Sequence, residues 1–310
     1  MSGPTSDYPA AYSQHAKVQT GMNPKSEPFA TMAPHEQYLF DLQGFIVVRN
    51  ALAPEQVDAL NAALDANHDK RKEDVVTQTS EALKGKQYRG LYEGMLTWDR
   101  PWCLPFREVL ANPKIIPYLN TLLGRGWKLD HNPFIYTSSV GTEGLNLHGY
   151  GLAEFNGSRF YHYQNGAMRC GLINCQYQLN DVNPGDGGLC VIPGSHKANF
   201  TLPGDISRYE AHQEIVRHVS MKAGDLVIFN EATTHGTLPW RGEGERRSLF
   251  YRYTPKYMHY TGGVYETGLP EWTSELTDAQ RAVLEPPYVY HRPMIDDDGQ
   301  TLSTPRREGE

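Results

Sequence analysis

The sequence lacks any apolar run long enough to span a bilayer, and its first residues, MSGPTSDYPAAYSQ, have neither the basic stretch nor the apolar stretch of a secretory leader. It also lacks a basic excess: 29 Lys and Arg stand against 36 Asp and Glu, a net charge of −7 with the signs interspersed. No patch therefore forms to track phosphates or anionic lipid, so nucleic acid and membranes are poor partners and the cytoplasm is the expected compartment. Cysteine is scarce. Cys103, Cys170, Cys175 and Cys190 form no C-x-x-C unit, which excludes a zinc knuckle or a dithiol redox pair and leaves them as buried small apolar side chains. No internal repeat is evident.

What is present is enough for a substantial core: 39% hydrophobic and 21% charged residues in a chain of 310, most simply one large domain with appendages. Residues 1–34, rich in Ser, Pro and Gly, read as a loosely held arm, residues 35–262 as the domain, and residues 263–310 as a helix, TDAQRAVL, with a polar tail. HEQYLFDLQG predicts a short helix with Tyr38, Leu39 and Leu42 as its apolar points and Gly44 as its stop, followed by a strand, FIVV. A second helix starts near Pro54 and carries Val57, Leu60, Ala63 and Leu64 at helical spacing; a third is interrupted near Pro113 and closes at Gly124. Beyond about residue 126 the texture changes to short runs such as PFIYTSS, GLINCQYQL, GLCVIPGS, DLVIFN and SLFYRYTP, punctuated by Gly, Asn and Asp, which predict an antiparallel sandwich or barrel.

Chemistry concentrates in that region. In LNLHGYG, residues 145–151, His148 lies in a strand-like run, where side chains at i and i+2 share a face and a His-x-Asp or His-x-Glu pair can grip one metal ion. Here the second position is Tyr150. KAGDLVIFNEATTHGTLP reads as a turn at Gly224 and Asp225, a strand, and then His235; in RRSLFYRY, Arg246 and Ser248 share one strand face. Together with GFIVVRNAL and LNDVNPGDGGLCVIPGSHK, these segments resemble the phytanoyl-CoA dioxygenase family of iron(II)- and 2-oxoglutarate-dependent oxygenases over roughly residues 36–256.

The resemblance implies a double-stranded β-helix, that is, a jelly-roll, cupin-like barrel, mainly β with helices packed on one side. It implies His148 and His235 as iron ligands, Arg246 as the partner of the distal carboxylate of 2-oxoglutarate, and Ser248 as the hydroxyl beside it. Arg247 takes over from Arg246 if the register slips by one. Two neutral imidazoles and one carboxylate on a face of octahedral iron(II) leave room for a chelating 2-oxo acid and O2, and a planar guanidinium suits a carboxylate better than an ammonium does. The plainer reading of Arg246 is a surface ion pair with Glu243 or Glu245. His196 reads as a turn and cap residue, the glycines at 185–188 as a tight turn, and His131, His212 and His218 as surface or packing residues.

Tyr150 leaves the third ligand open. Glu154 is the nearest carboxylate, with Asp130, Asp181 and Asp186 in other segments; a halide, water, or Tyr150 itself are the alternatives, the bulk of the ring counting against a halide. If Asn-Gly at 156–157 and at 165–166 are both tight turns, Glu154 faces Arg159, Tyr150 faces Tyr163 and Tyr161 faces Cys170. His162 then turns away from His148, while Asn174 and Gln176 lie on the His148 face as candidate cofactor or substrate contacts. Tyr161, Tyr163, Trp240 and Tyr251 are candidates to line an apolar or planar pocket. The expected activity is hydroxylation of a small molecule with O2, releasing succinate and CO2; a halogenase or a non-catalytic ligand-binding barrel are the alternatives. Oligomeric state and substrate are not legible.

Overall fold

The computed structural model describes residues 29–75, 80–149, 157–261 and 268–303. Most of the N-terminal arm, Tyr150, Glu154 and the first Asn-Gly turn's Asn156 lie outside the described residues. Helix α1 (Pro34–Gln43) is closed by Gly44 in the left-handed region at φ 82°, and β1 (Phe45–Val48) follows at once. The apolar face of α1 is not the expected one. Phe40 is fully buried, whereas Tyr38, Leu39 and Leu42 are exposed, because α1 lies on β1 at the edge of a sheet and has only a narrow stripe to bury. Helix α2 (Pro54–Ala66) buries the four residues its spacing singles out, Val57, Leu60, Ala63 and Leu64. The third helical segment is split around Pro113 into α3 (Leu104–Val109) and α4 (Ile116–Leu123), the latter ending at Gly124.

The strands in chain order are β2 (Lys72–Asp74), β3 (Arg89–Glu93), β4 (Lys128–Ser138), β5 (Leu145–His148), β6 (Tyr161–Gln164), β7 (Ala167–Cys170), β8 (Ile173–Gln178) and β9 (Gly188–Val191). After the short helix α5 (Gly204–Ser207) come β10 (Arg217–His218), β11 (Leu226–Asn230), β12 (His235–Leu238) and β13 (Arg246–Thr254). Seven strands pair in the order β1-β11-β8-β13-β4-β3-β2 and four in the order β10-β9-β12-β5, every pair antiparallel. This is a jelly-roll of two facing sheets, open at its edges rather than a closed barrel.

Alternation along the strands divides the large sheet into two chemically different faces. On β8, Ile173, Cys175 and Tyr177 turn outward into the main core with α2, α3 and α4, and on β13 Leu249, Tyr251 and Tyr253 do the same. The hydroxyl of Tyr251 donates to the carbonyl of Phe106 (2.5 Å) and that of Tyr253 to the carbonyl of Leu110 (3.1 Å), tying the sheet to α3. The C-terminal helix α6 (Asp278–Leu284), capped by Thr277, contributes Ala279, Val283 and Leu284 to this same core, and Ile295 of β14 (Met294–Ile295), which pairs with β15 (Leu302–Ser303), joins them. The other face meets the small sheet, where Phe45, Val227 and Phe229 pack on Leu189 and Val191. The four cysteines are free and buried.

β6 and β7 form the hairpin read from Asn165-Gly166, with both residues at positive φ (53° and 77°), the type I′ geometry, and Tyr161 facing Cys170. At the far end of β4, the buried carboxylate of Asp130 accepts from the amides of Tyr260 (2.7 Å) and Thr261 (3.1 Å) and lies 2.8 Å from Nδ1 of His131. Burial alone would push this carboxyl up, but His131, the Tyr260 amide and His259 hold it at about 2. A folded-state value below the unfolded one of about 3.9 contributes stability above pH 4, which is lost as pH falls through about 2. Asp130→Asn is therefore expected to lower stability by about 2 kcal/mol at pH 7, and the gap between its urea midpoint and that of the wild type is expected to close between pH 4 and pH 2. A gap that stays constant with pH would remove this account.

Candidate active site

The floor of the site is where the two sheets meet. β12 pairs with β5 so that His235 faces His148, their rings 4.3 Å apart between centroids, with a register shift one step further along. The chain can leave His148 in this direction only because residue 149 is glycine: a Cβ there would stand 2.5 Å from Cα of Thr234. Nδ1 of His148 lies 2.9 Å from the carbonyl of Asn146, and Nδ1 of His235 lies 2.7 Å from the carbonyl of Thr233. A carbonyl only accepts, so both protons sit on Nδ1 and both Nε2 lone pairs are left for a metal. Burial, and next the neighbouring His148, hold the His235 imidazole down at about 4, so it is neutral at pH 7.

On the inner face of the large sheet, Asn174 and Gln176 project from β8 and Ser248 from β13, all fully buried. The hydroxyl of Ser248 donates to Gln178 (2.9 Å), and the amide of Gln176 lies 3.4 Å from the same hydroxyl. Arg246 is buried beside Gly188, whose missing Cβ would stand 2.9 Å from the guanidinium Nε. Gly188 also has φ +87°, so both its backbone and the space it leaves suit glycine alone. Arg246 forms no ion pair among the described residues and its Nε has no hydrogen-bond partner; burial, with Arg89 nearby, brings its guanidinium down to about 10. The surface ion pairs are made by Arg247 instead, with Glu245 (2.7 Å) and Asp65 (2.6 Å) on the opposite face. A buried guanidinium without a counter-charge is costly, so the site is built for an anion. Gly188 pairs with Leu238 and Val191 with His235, a separation of three residues, so Arg246 and the histidines are roughly 10 Å apart along the strands. A five-carbon dicarboxylate bound to metal at one end and guanidinium at the other bridges such a gap. The donor set thus fits iron(II) and 2-oxoglutarate.

Of the carboxylates considered from the sequence, Glu154 lies outside the described residues, and the other three have partners away from the histidines. Asp130 is tied to His131 and the 260–261 amides, Asp181 pairs with Lys222 (2.7 Å), and Asp186 accepts from the Asn183 amide (2.7 Å). Among the described residues no three His, Cys, Asp or Glu side chains form a ready-made metal cage. Among the described residues, the acid that interacts electrostatically with both histidines is Glu231, a residue the sequence did not single out. It sits between β11 and β12, is buried, and accepts from Asn174 Nδ2 (2.5 Å) with Arg252 Nε 3.7 Å away. Burial would push its carboxyl up; Arg252, the neighbouring His235 and Asn174 hold it at about 2. Arg252 in turn donates to Asn174 (2.6 Å) and lies 3.0 Å from Nε2 of His131, which of its two expected roles, surface or packing, takes a place in this network. Strand alternation carried far enough, to Gln178 on β8 and Arg252 on β13, would have found two of these residues.

The aromatic residues singled out earlier lie elsewhere. Tyr251 is one position out of phase and faces the helices; Tyr161 donates to Asp41 and packs edge-on against His196; Trp240 is buried with its indole donating to Gly244 (3.0 Å); Tyr163 and His162 are exposed. On the inner face stand Phe134, stacked on Phe250 at 4.9 Å, and Tyr136, edge-on to both. His196, read as a turn and cap residue, is buried in the turn Ser195–Lys197 with its Nε2 3.1 Å from the carbonyl of Asp41 and its ring against Tyr161.

A profile of the family described as phytanoyl-CoA dioxygenase (PhyH) matches residues 40–248. A putative phytanoyl-CoA dioxygenase of Dictyostelium discoideum is 27% identical over 171 residues, which are 48% of this chain and 44% of that protein, so the match spans less than half of the relative. Among solved structures, HygX from Streptomyces hygroscopicus with nickel, 2-oxoglutarate and hygromycin B superposes with a TM-score of 0.60 at 21% identity, covering 74% of this chain and 89% of the other. SnoK, a non-heme alpha-ketoglutarate-dependent carbocyclase from nogalamycin biosynthesis, superposes at 0.55 with 15% identity, covering 76% and 89%. These likenesses carry the fold, and the profile, which spans the strands bearing both histidines, Arg246 and Ser248, carries the family, whose members depend on iron and 2-oxoglutarate. The chain belongs to the phytanoyl-CoA dioxygenase family.

Proposed function

We propose that the protein is an iron(II)- and 2-oxoglutarate-dependent oxygenase that hydroxylates a small molecule, with His148 and His235 as metal ligands and Arg246, assisted by Ser248, as the anchor of the co-substrate. The observation that carries this reading is the buried guanidinium of Arg246, without an ion pair among the described residues, about three residues along the fold from the facing pair His148 and His235. When bound, iron(II) and 2-oxoglutarate with O2 supply an oxidant for an unactivated C–H bond, the keto acid leaving as succinate and CO2. The chain's own residues do the rest. Both imidazoles present Nε2 because backbone carbonyls hold Nδ1–H, and Arg246 neutralises the distal carboxylate and fixes its direction. Gln176, whose buried Oε1 has no partner, and Asn174 are the proposed polar contacts at the cavity floor.

Phe134, Tyr136 and Phe250 form a wall suited to an apolar or planar substrate and exclude water from the reacting carbon. Hydroxylation is the proposed outcome; carbocyclisation, the activity in SnoK's name, is likewise non-heme and alpha-ketoglutarate dependent. No helix among the described residues is long and apolar enough to cross a membrane, and the four free thiols suit the reducing cytoplasm proposed as the compartment. Anaerobic addition of iron(II) and 2-oxoglutarate is expected to give a weak visible charge-transfer band, and exposure to air is expected to give succinate. Absence of both would refute the enzyme reading.

A further inference from the structure

We propose that Arg252 selects the substrate: it binds a carboxylate carried by an apolar or planar small molecule that lies along Phe134 and Phe250. This rests on the proposed oxygenase reading and names its substrate class. Arg252 belongs to the inner face of β13, level with Asn174 on β8 and, one strand further, with Phe229 on β11, whose ring is 4.8 Å from that of His235. It is thus on the histidine side of that face. Arg246 stands on the same face six residues earlier, roughly 20 Å away along the strand, so a single co-substrate cannot serve both guanidiniums.

The local structure holds this guanidinium in place and leaves donors over. β4 carries a bulge opposite it: Phe250 pairs with Phe134 but Arg252 pairs with His131, so Asn132 and Pro133 together oppose one residue and His131 turns to a face that strict alternation would deny it. Arginine only donates, so Nε2 of His131 accepts from Nη1 (3.0 Å), and the ring proton sits on Nδ1, which donates to Asp130 (2.8 Å). Nε donates to Oδ1 of Asn174 (2.6 Å), which leaves the Asn174 amide to donate to Glu231 (2.5 Å). Nη2 makes no hydrogen bond to the described residues. Glu231, 3.7 Å from Nε, balances the charge from beyond hydrogen-bond reach and takes none of the donors. The Arg252 side chain is 24% exposed, so a ligand can reach the remaining N–H groups, and parallel N–H groups on a held plane match a carboxylate. The guanidinium lies 5.0 Å from the centroid of Phe134, at one end of the aromatic wall that would carry the body of the molecule. Arg89, at the Tyr136 end of that wall, is already engaged by Asp74 (2.5 Å).

The test is calorimetric binding of 2-naphthoate and 2-naphthamide, alike in size and different in charge, to the whole chain under nitrogen with Co(II) and saturating 2-oxoglutarate to occupy Arg246. The wild type is expected to bind 2-naphthoate at least about tenfold more tightly than the amide, the scale of one hydrogen bond to a charged group. Arg252→Met with Glu231→Gln removes both charges and leaves neither uncompensated; it is expected to bring the two probes within about twofold of each other while affinity for 2-oxoglutarate holds. If that variant does not fold, Arg252→Lys decides: an ammonium lacks the parallel pair, so 2-naphthoate should bind at least about threefold more weakly. A wild type without the preference, or a preference that these substitutions leave untouched, would overturn the proposal. The two levels separate cleanly. If 2-oxoglutarate binds and the preference is absent, the oxygenase reading stands and the carboxylate subsite falls; if 2-oxoglutarate does not bind while the preference follows Arg252, the subsite stands and the oxygenase reading falls.

Discussion

His148→Ala is expected to abolish the iron(II)–2-oxoglutarate absorption band and to lower succinate formation by more than about 100-fold, since loss of a ligand exceeds the 10- to 100-fold cost typical of disturbing a ligand's outer contact. The fold should hardly notice. His148 is half-buried at the end of a four-residue strand, and its side chain bonds only to a local carbonyl, so the loss in stability is expected to stay below about 1 kcal/mol. Urea denaturation beside succinate formation checks both halves. A variant that turns over at near wild-type rate would mean that the metal sits elsewhere, and one that fails to fold would mean that the histidine pair is a packing device. Asn146→Ala, which keeps the backbone carbonyl that accepts from Nδ1, should leave the band in place.

Arg246→Met carries the second large effect, and its two consequences have opposite signs. Removing one partner of a buried charge-assisted pair costs about 2–5 kcal/mol, so affinity for 2-oxoglutarate should fall by roughly 30-fold or more. Without the co-substrate, however, the guanidinium is buried with an unpartnered Nε and no carboxylate beside it among the described residues, and an apolar side chain of similar length relieves that penalty. The apo variant should therefore melt at the same temperature as the wild type or above it. Adding 2-oxoglutarate with a divalent metal should raise the melting temperature of the wild type and not of the variant. A destabilised apo variant with intact co-substrate affinity would make Arg246 a structural residue. Arg247→Met, on the outer face with Glu245 and Asp65, is the matched control and should leave affinity unchanged.

The sequence by itself determined the element pattern. Val57, Leu60, Ala63 and Leu64 stand at helical spacing and are buried together; Asn165-Gly166 specifies a two-residue turn and with it the pairing of Tyr161 with Cys170. It also determined that Arg246 and Arg247 stand on opposite faces of β13, through a side-chain period of two; the pairing with β4 and β8 then decided that Arg246 is the inner one. These are local consequences of backbone geometry. What only the tertiary structure decided depends on how the elements stack. Tyr38, Leu39 and Leu42 form an apolar set that α1, perched on an edge strand, leaves in solvent, while Phe40 takes the one buried position. Tyr251 and Phe250 are equally aromatic neighbours, yet which of them faces the helices and which the cavity is fixed by the pairing of β13 with β8 and β4. Glu231 is the clearest case. Nothing in NEATTH marks its glutamate as other than a turn residue, and its meaning arises when sheet closure buries it within electrostatic reach of His148, which lies more than 80 residues earlier. Burial turns an ordinary acid into one that must be matched by charge, and burial is a property of the assembled sheets.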